Sequence, residues 1–249
     1  MPRFLGTAMP RSRHADAAFR YRHFEQDLIV LCVRWYVTYR LSYRDLVQMM
    51  AERGITVAPS TIYRWVQCFV PEFEKRWGSY AKSVGCSWRV DETYILIRKQ
   101  WHYLYRAVDK KGQTVDFLLR KDRGVQAAKA FFTRALATQQ DRFPRKVTLD
   151  GHRPSHRALR HLRRERRGWR FVQVRTCKYL NNIVEQDHRA IKRRCAPMLG
   201  FKTFDSAAIT LAGIELAHRI RKKQFAIGRV RGARRFNLKT AWERALFGT

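Results

Sequence analysis

The sequence predicts an α/β protein: a mixed β-sheet with flanking helices, preceded by an all-α segment that reads as a helix-turn-helix. Three observations carry this. Between Phe24 and Phe69 the apolar residues recur at helical spacing. From Ser87 the pattern changes to three consecutive runs of strand character, Ser87 to Ile97, Trp101 to Val108 and Thr114 to Leu119. Short apolar runs then alternate with helical patterns, giving the order β-β-β-α-β-α-β-α, which suits a mixed sheet covered on both faces.

The elements follow in order. Residues 1–23 form a basic arm without periodicity. Phe24, Leu28, Leu31, Cys32, Trp35 and Tyr36 define a first helix, through Tyr39. Ser42 is an N-cap for a second, through Tyr43, Leu46, Met49 and Met50 to Arg53, and Gly54 ends it. Pro59-Ser60 opens a third, Thr61 to Phe69. Two short helices across a Gly-containing turn make residues 24–70 a helix-turn-helix DNA-binding domain. The second helix of that motif enters the major groove, so Ser60, Thr61, Tyr63 and Arg64 are candidates to face the bases. Residues 71–85 read as a linker with a short helix. Residues 86–198 form the α/β domain, in which Asp109-Lys110-Lys111-Gly112 turns the second strand into the third. Val125 to Leu136 is an Ala-rich helix, Lys146 to Leu149 a short strand, Ser155 to Arg166 a basic helix, Phe171 to Val174 a short strand and Asn182 to Arg194 a helix. Residues 199–249 add an amphipathic helix, Ser206 to Lys222, and a tail whose Arg229, Arg231, Arg234 and Arg235 are expected to bind phosphates nonspecifically.

Charge sets the partner class. Lys plus Arg number 52 against 20 Asp plus Glu, a net charge of +32, spread along the chain and interleaved with 13% aromatic residues. That pattern belongs beside a polyanion, and nucleic acid is the expected partner. Apolar residues make up 45%, which excludes a disordered tail. The five cysteines are odd in number and none is at CxxC spacing, so neither a disulfide framework nor a zinc knuckle is expected; they read as reduced, mostly buried thiols. No run reaches about 18 apolar residues and the first 23 lack the apolar core of a signal peptide. A soluble cytoplasmic protein is expected, with no membrane partner.

In this basic chain three carboxylates stand out. Asp91 lies in an alternating strand, Asp150 ends the run Val147-Thr148-Leu149, and Glu185 opens a helix 35 positions after Asp150. The C-terminal ends of strands are where open α/β sheets place ligands. Three close like charges repel unless cations neutralise them, and oxygen ligands favour Mg²⁺ or Mn²⁺ over zinc. Such ions stabilise the attacking and leaving oxygens of phosphodiester chemistry.

The segments Trp88-Arg89-Val90-Asp91-Glu92-Thr93-Tyr94, Tyr103-Leu104-Tyr105-Arg106-Ala107-Val108-Asp109 and Tyr179-Leu180-Asn181-Asn182-Ile183-Val184-Glu185-Gln186-Asp187-His188-Arg189 resemble the DDE transposases of bacterial insertion sequences, in particular the insertion-sequence-six family. The resemblance spans about residues 22–225. It implies a ribonuclease-H-like fold with the strand and helix order read above. It also implies Asp91, Asp150 and Glu185 as a triad binding two Mg²⁺ (or Mn²⁺) ions. The family's basic residue two turns after the glutamate falls on Lys192. Nicking at element ends, strand transfer into target DNA and replicative joining are implied as well. So are double-stranded DNA partners (terminal inverted repeats and target), a homodimer or larger assembly, and a bacterial, nucleoid-associated setting. Gly151-His152 stands where many members carry a lysine after the second aspartate.

Other residues divide between roles. Lys192 and its neighbour Arg193 are candidate DNA contacts beside the triad. His188, three residues after Glu185 on nearly the same helix face, either touches the scissile phosphate or makes a structural hydrogen bond. Glu92 points away from Asp91 and reads as the partner of an arginine. Asp109 reads as a turn residue and Asp116 as an acid buried with an arginine. Trp88 and Trp101 read as core rather than stacking platforms. Two rival functions stay open: a ribonuclease-H-like nuclease that cuts without strand transfer, and a DNA-binding regulator or inactive transposase.

Overall fold

The computed structural model describes residues 23–177, 182–198, 200–227 and 238–247. The expected N-terminal arm to Arg22, the arginines of the tail at 229–235, and Tyr179-Leu180-Asn181 lie outside them.

Three helices come first: α1 (Gln26–Thr38), α2 (Tyr43–Ala51) and α3 (Pro59–Gly78). Ser42 caps α2 through a reciprocal box, its hydroxyl accepting from Asp45 N–H at 3.1 Å while its own N–H donates to the Asp45 carboxylate at 2.6 Å. Gly54, at φ +71°, turns the chain out of α2 in the left-handed region that favours glycine. The third helix differs from expectation. It runs on past Phe69 through Pro71 to Gly78, into the segment read as a linker. Proline normally marks a helix end; here Pro71 is exposed while Phe73 and Trp77 are almost fully buried, and their burial carries the helix across it.

The sheet has five strands, β1 (Ser87–Ile97), β2 (Gln100–Asp109), β3 (Thr114–Arg120), β4 (Lys146–Leu149) and β5 (Gln173–Thr176), in the spatial order β3-β2-β1-β4-β5. The first three form an antiparallel meander, and β4 and β5 join in parallel. Helices α4 (Val125–Thr138), α5 (Arg153–Glu165) and α6 (Asn182–Cys195) alternate with the strands, followed by α7 (Phe204–Arg221) and α8 (Leu238–Phe247). This is the β-β-β-α-β-α-β-α order that the resemblance ties to a ribonuclease-H-like fold. α8, in the stretch read as a tail, buries Ala241, Trp242, Ala245 and Leu246.

Strand alternation sorts side chains onto two cores. Trp88, Val90, Tyr105 and Ala107 pack under α4, α5 and Trp169. Ile95, Ile97, Leu104, Phe117 and Leu119 face the other way and join a core with α1, α2, α3, α7 and α8. α7 is central to this second core. At Gly213 an added Cβ would come within 2.7 Å of Val37 and 2.9 Å of Val70, so the glycine lets α7 press against α1 and α3. Among the described residues no helix is long and apolar enough to cross a membrane.

Candidate active site

Parallel pairing of β1 with β4 sets Val90 beside Leu149. The next residue on each chain is Asp91 and Asp150, so two carboxylates start from neighbouring positions, about 4.8 Å apart across the sheet. Asp150 leaves its strand in a turn, its Oδ1 accepting the His152 backbone N–H at 3.0 Å, and His156 Nε2 lies 2.8 Å from the Asp150 carbonyl oxygen. Glu185 enters from the first turn of α6 and is exposed. Burial pushes the Asp91 carboxyl up to about 6. A hydrogen bond from the Glu92 backbone opposes this, while the charges of Asp150, Glu92 and Glu185 add to it. Asp91 thus feels the charges of both Asp150 and Glu185. Among the described residues no three His, Cys, Asp or Glu side chains converge closely enough to hold one ion as they stand. No Lys or Arg among them forms an ion pair with Asp91, Asp150 or Glu185.

His188, a candidate for the scissile phosphate, is only 4% exposed. Its Nδ1 lies 3.6 Å from Asp91 Oδ2 and its Nε2 is buried without a hydrogen-bond partner. Burial first, then the charges of Arg106 and Lys192, press its pKa down to about 3, so at neutral pH the ring is uncharged and gives Asp91 no counter-charge. The ring faces the carboxylate rather than open surface.

Glu92 projects to the opposite face, as alternation demands. The expected arginine is Arg123, with Nε 3.4 Å from Glu92 Oε2. Two partners were not foreseen: His152 Nδ1 at 2.9 Å, and the Ser155 hydroxyl, which donates at 3.0 Å. Burial pushes Glu92 up to about 7. Asp150 and Glu92 are therefore joined through the His152 turn.

A second group of charges lies on the Asp91 face. Arg106, directly opposite Asp91 on β2, is wholly buried. It donates to Asp187 of α6 at 2.6 Å and to both oxygens of Glu215 of α7 at 2.6 and 3.0 Å. His218 and Lys222 complete the cage around Asp187, at 2.6 and 2.5 Å. Burial alone would raise Asp187, but the His218 hydrogen bond and the Arg106 and Lys222 charges hold it well below the usual carboxylate range. Sequence reasoning missed this cluster. Its signal was a lone charge inside the apolar strand Tyr103-Leu104-Tyr105-Arg106-Ala107-Val108, which has to meet acids once buried.

The DNA-reading candidates Ser60, Thr61, Tyr63 and Arg64 all lie in the first turns of α3; Thr61 is half-buried and the other three are exposed. Lys192 and Arg193 are exposed on α6. Their neighbour Arg194 is buried, stacks on Tyr36 and donates to the Tyr36 and Leu41 carbonyls. Arg40 donates to the Arg193 carbonyl at 3.1 Å, and Arg221 to Thr38 at 2.8 Å. Three arginines thus fasten the α1–α2 turn to α6 and α7. Asp109 is the turn residue expected, accepting from Lys111 and Gln113, and Asp116 is buried with Arg134 at 3.2 Å. Two expectations are corrected. Trp88 is core, but Trp101 is 60% exposed, because β2 carries it beyond the helices that cover Trp88. The cysteines were expected to be mostly buried, yet Cys68 and Cys86 are exposed and Cys32 alone is fully buried, since Cys68 sits on the outer side of α3 and Cys86 in the approach to β1.

The profile of a family described as a DDE domain matches residues 85–224. Two curated Staphylococcus aureus proteins are each 40% identical over 207 residues, covering 82% of this chain and 89% of theirs. They are the transposase for insertion sequence-like element IS431mec and the transposase for insertion sequence element IS257 in transposon Tn4003. The chain belongs to the DDE transposases of the insertion-sequence-six family. Among solved structures, the catalytic core domain of BIV integrase aligns with 53% of this transposase and 83% of that chain, at 19% identity and a TM-score of 0.39. The HTLV-2 integrase catalytic core domain in complex with magnesium (dimeric form) aligns with 55% and 86%, at 16% identity and 0.39. The transposase is a polynucleotidyl transferase built on a mixed sheet with flanking helices.

Proposed function

We propose that this transposase binds the ends of an insertion sequence through the exposed first turns of α3, nicks the DNA there and joins the freed 3′-hydroxyl to target DNA, with donor and target replicatively joined. The observation that carries the reading is that Asp91 and Asp150 leave neighbouring strands side by side, with Glu185 near enough for its charge to help raise the Asp91 carboxyl and no Lys or Arg of the described residues paired with any of the three. Carboxylate oxygens of this kind fit hard divalent cations, and two Mg²⁺ or Mn²⁺ ions are the proposed occupants, held by these three residues. When bound, such ions stabilise the attacking and leaving oxygens at phosphorus. Asp91 and Asp150 supply the fixed part of the site from adjacent strands. Glu185 supplies the adjustable part from the exposed first turn of a helix, so closing the site asks for a swing of its side chain rather than a shift of the sheet.

The chain's other residues bind and orient. Lys192, exposed two turns after Glu185 and roughly 10 Å along the helix, holds a phosphate beside the scissile bond. His188 packs against Asp91 and fixes its rotamer. Arg64, Tyr63, Thr61 and Ser60 read the terminal repeat, and Arg193 adds a backbone contact. Residues 24–70 and 86–198 serve as the reading and cutting units. Both chemical steps are in-line displacements, so one site serves both, and pairing two ends requires a dimer or larger assembly.

Asp91→Asn, Asp150→Asn and Glu185→Gln should each abolish Mg²⁺-dependent nicking of a terminal-repeat duplex while leaving its binding within a few fold. Wild-type cleavage by any one of the three removes that residue from the site. A precut end separates this reading from a simple nuclease, because a nuclease does not join it to target DNA.

A further inference from the structure

We propose that the exposed aromatic strip on β1 and β2, Tyr94–Tyr103–Trp101 with Arg123 laid over it, is a stacking platform for unpaired bases of the DNA this protein acts on. The proposal rests on the DNA-cutting reading above and deepens it by naming the form of substrate that this face accepts.

The strip follows from strand register. On the Glu92 face of the sheet, side chains line up in rows across the strands. Glu92 lies opposite Tyr105, Tyr94 opposite Tyr103, and Leu96 opposite Trp101. Arg120 of β3 extends the Tyr94–Tyr103 row. The first row belongs to the core under α4 and α5, where Tyr105 is fully buried. The next two rows run past those helices. Tyr94 is 46% exposed and Trp101 60% exposed. Large rings left in water at two neighbouring positions cost solvation that a folded monomer normally avoids.

The rings are held rather than loose. Tyr94 meets Trp101 edge-on, with centroids 6.1 Å apart, and tilts against Tyr103 at 5.5 Å. The Arg123 guanidinium stands 5.8 Å from the Tyr94 ring and 5.5 Å from the Tyr103 ring, and donates to the Tyr94 hydroxyl at 2.9 Å. The same guanidinium reaches Glu92, the neighbour of Asp91 in the chain. The strip therefore continues the Glu92 row, on the face of the sheet opposite to Asp91. Successive rows lie about 6.8 Å apart along a strand, twice the 3.4 Å step of stacked bases, so the strip has room for two or three bases.

Charge selects the occupant. Arg120 and Arg123 lie in the strip, and Arg98 and Lys99 form the exposed turn at its end. Its acids are already taken, Glu92 by His152, Ser155 and Arg123, and Asp122 by Arg120 at 3.5 Å. A second copy docking through the same face would bring arginine against arginine. Nucleic acid supplies π-faces for the rings and phosphates for the cations. Paired bases keep their faces inside the duplex, so the strip fits unpaired ones, as at a frayed or nicked end.

The test measures binding of the full chain, without divalent metal, to a random-sequence duplex that is blunt or carries a short oligothymidylate overhang. The wild type should prefer the overhang. Trp101→Ala and Tyr94→Ala should each lower overhang affinity about tenfold, the loss of one stacked base, with blunt binding unchanged, and Trp101→Phe should retain most of the preference. Circular dichroism confirms that the variants are folded. An equal affinity of the wild type for both DNAs overturns the proposal, as does a Trp101→Ala variant that keeps the preference. A drop in solution mass in Trp101→Ala would instead assign the strip to contact between copies. Because no cleavage is read, failure of the triad variants to behave as expected leaves this result standing, and the reverse holds too.

Discussion

Two groups of acids meet on one face of the sheet beside α6, and the fold treats them in opposite ways. Asp187 and Glu215 are buried, and they are answered by Arg106, His218 and Lys222 at 2.5–3.0 Å. Asp91 starts directly opposite Arg106 on the neighbouring strand, yet Arg106 is committed to Asp187 and Glu215. What Asp91 has instead is an uncharged imidazole at 3.6 Å and the repulsion of Asp150, Glu92 and Glu185. Where the chain supplies its own cation, the acids are structure: they lock α6 and α7 to β2. Where it withholds one, Asp91 is held above the usual carboxylate range. Adjacent residues of α6 divide the two tasks, Asp187 anchoring the helix and His188 backing the site.

Four substitutions break or sharpen that contrast. The largest effect on stability belongs to Arg106→Leu. It leaves Glu215 buried without its ion-pair partner and Asp187 with only His218 and Lys222, and loss of one partner from a buried ion pair costs about 3–5 kcal/mol. Urea unfolding measures it, and a loss under 1 kcal/mol, roughly the worth of a surface pair, would mean the cluster is not self-neutralised.

Asp91→Asn should act in the other direction. Folding raises this carboxyl from an ordinary 3.8 to about 6. The folded chain therefore keeps a proton that the unfolded chain has released, and stability falls as pH rises from about 4 to about 6. Removing the charge should stabilise the metal-free protein at pH 7 by about 2–3 kcal/mol, with the gain fading toward pH 4. Asp187→Asn, whose acid is held low, should destabilise at pH 7 instead. If both Asn variants shift the unfolding midpoint the same way in metal-free buffer, the contrast fails.

Lys192→Ala should barely change stability, since the side chain is solvent-exposed, but should lower cleavage and strand transfer more than Arg193→Ala does. Side-by-side rates at fixed salt decide it. Equal small losses would make Lys192 part of the general basic surface. Arg194, tied to Tyr36 and Leu41, is unsuitable for that comparison because its loss strands a helix end.

Much of this was legible in the residues, for a local reason. Ser87–Ile97 alternates, so its bounds and the opposed aims of Asp91 and Glu92 were readable before any coordinates. Ser42 with Asp45 spells a cap, and Asp150 sits where its short strand stops. What escaped was set by distant partners. Arg106 meets Asp187 and Glu215 across 81 and 109 positions, and nothing local to any of them names the others. Pro71 argued for a helix end until the burial of Phe73 and Trp77 overruled it. Trp101 looked like core because an alternating strand does not show how far its covering helices reach. The helix Leu238–Phe247 did carry a signal: Leu238, Ala241, Trp242, Ala245 and Leu246 repeat at three and four, masked by the arginines before them.

The packing of α7 has a consequence for the order in which the protein is made. α7 comes from residues 204–221, after every strand of the sheet, yet Gly213 lies in the groove between Val37 of α1 and Val70 of α3. A ribosome adding 5–20 residues per second needs on the order of ten seconds to travel from α3 to α7. For that interval α1, α2 and α3 have emerged without the helix that floors them. A nascent or prematurely ended chain is thus open to protease across α1–α3, which limited proteolysis of a fragment ending near residue 200 would reveal. By fastening its first helices with one synthesised late, the transposase ties the packing of α1–α3 to completion of the sheet.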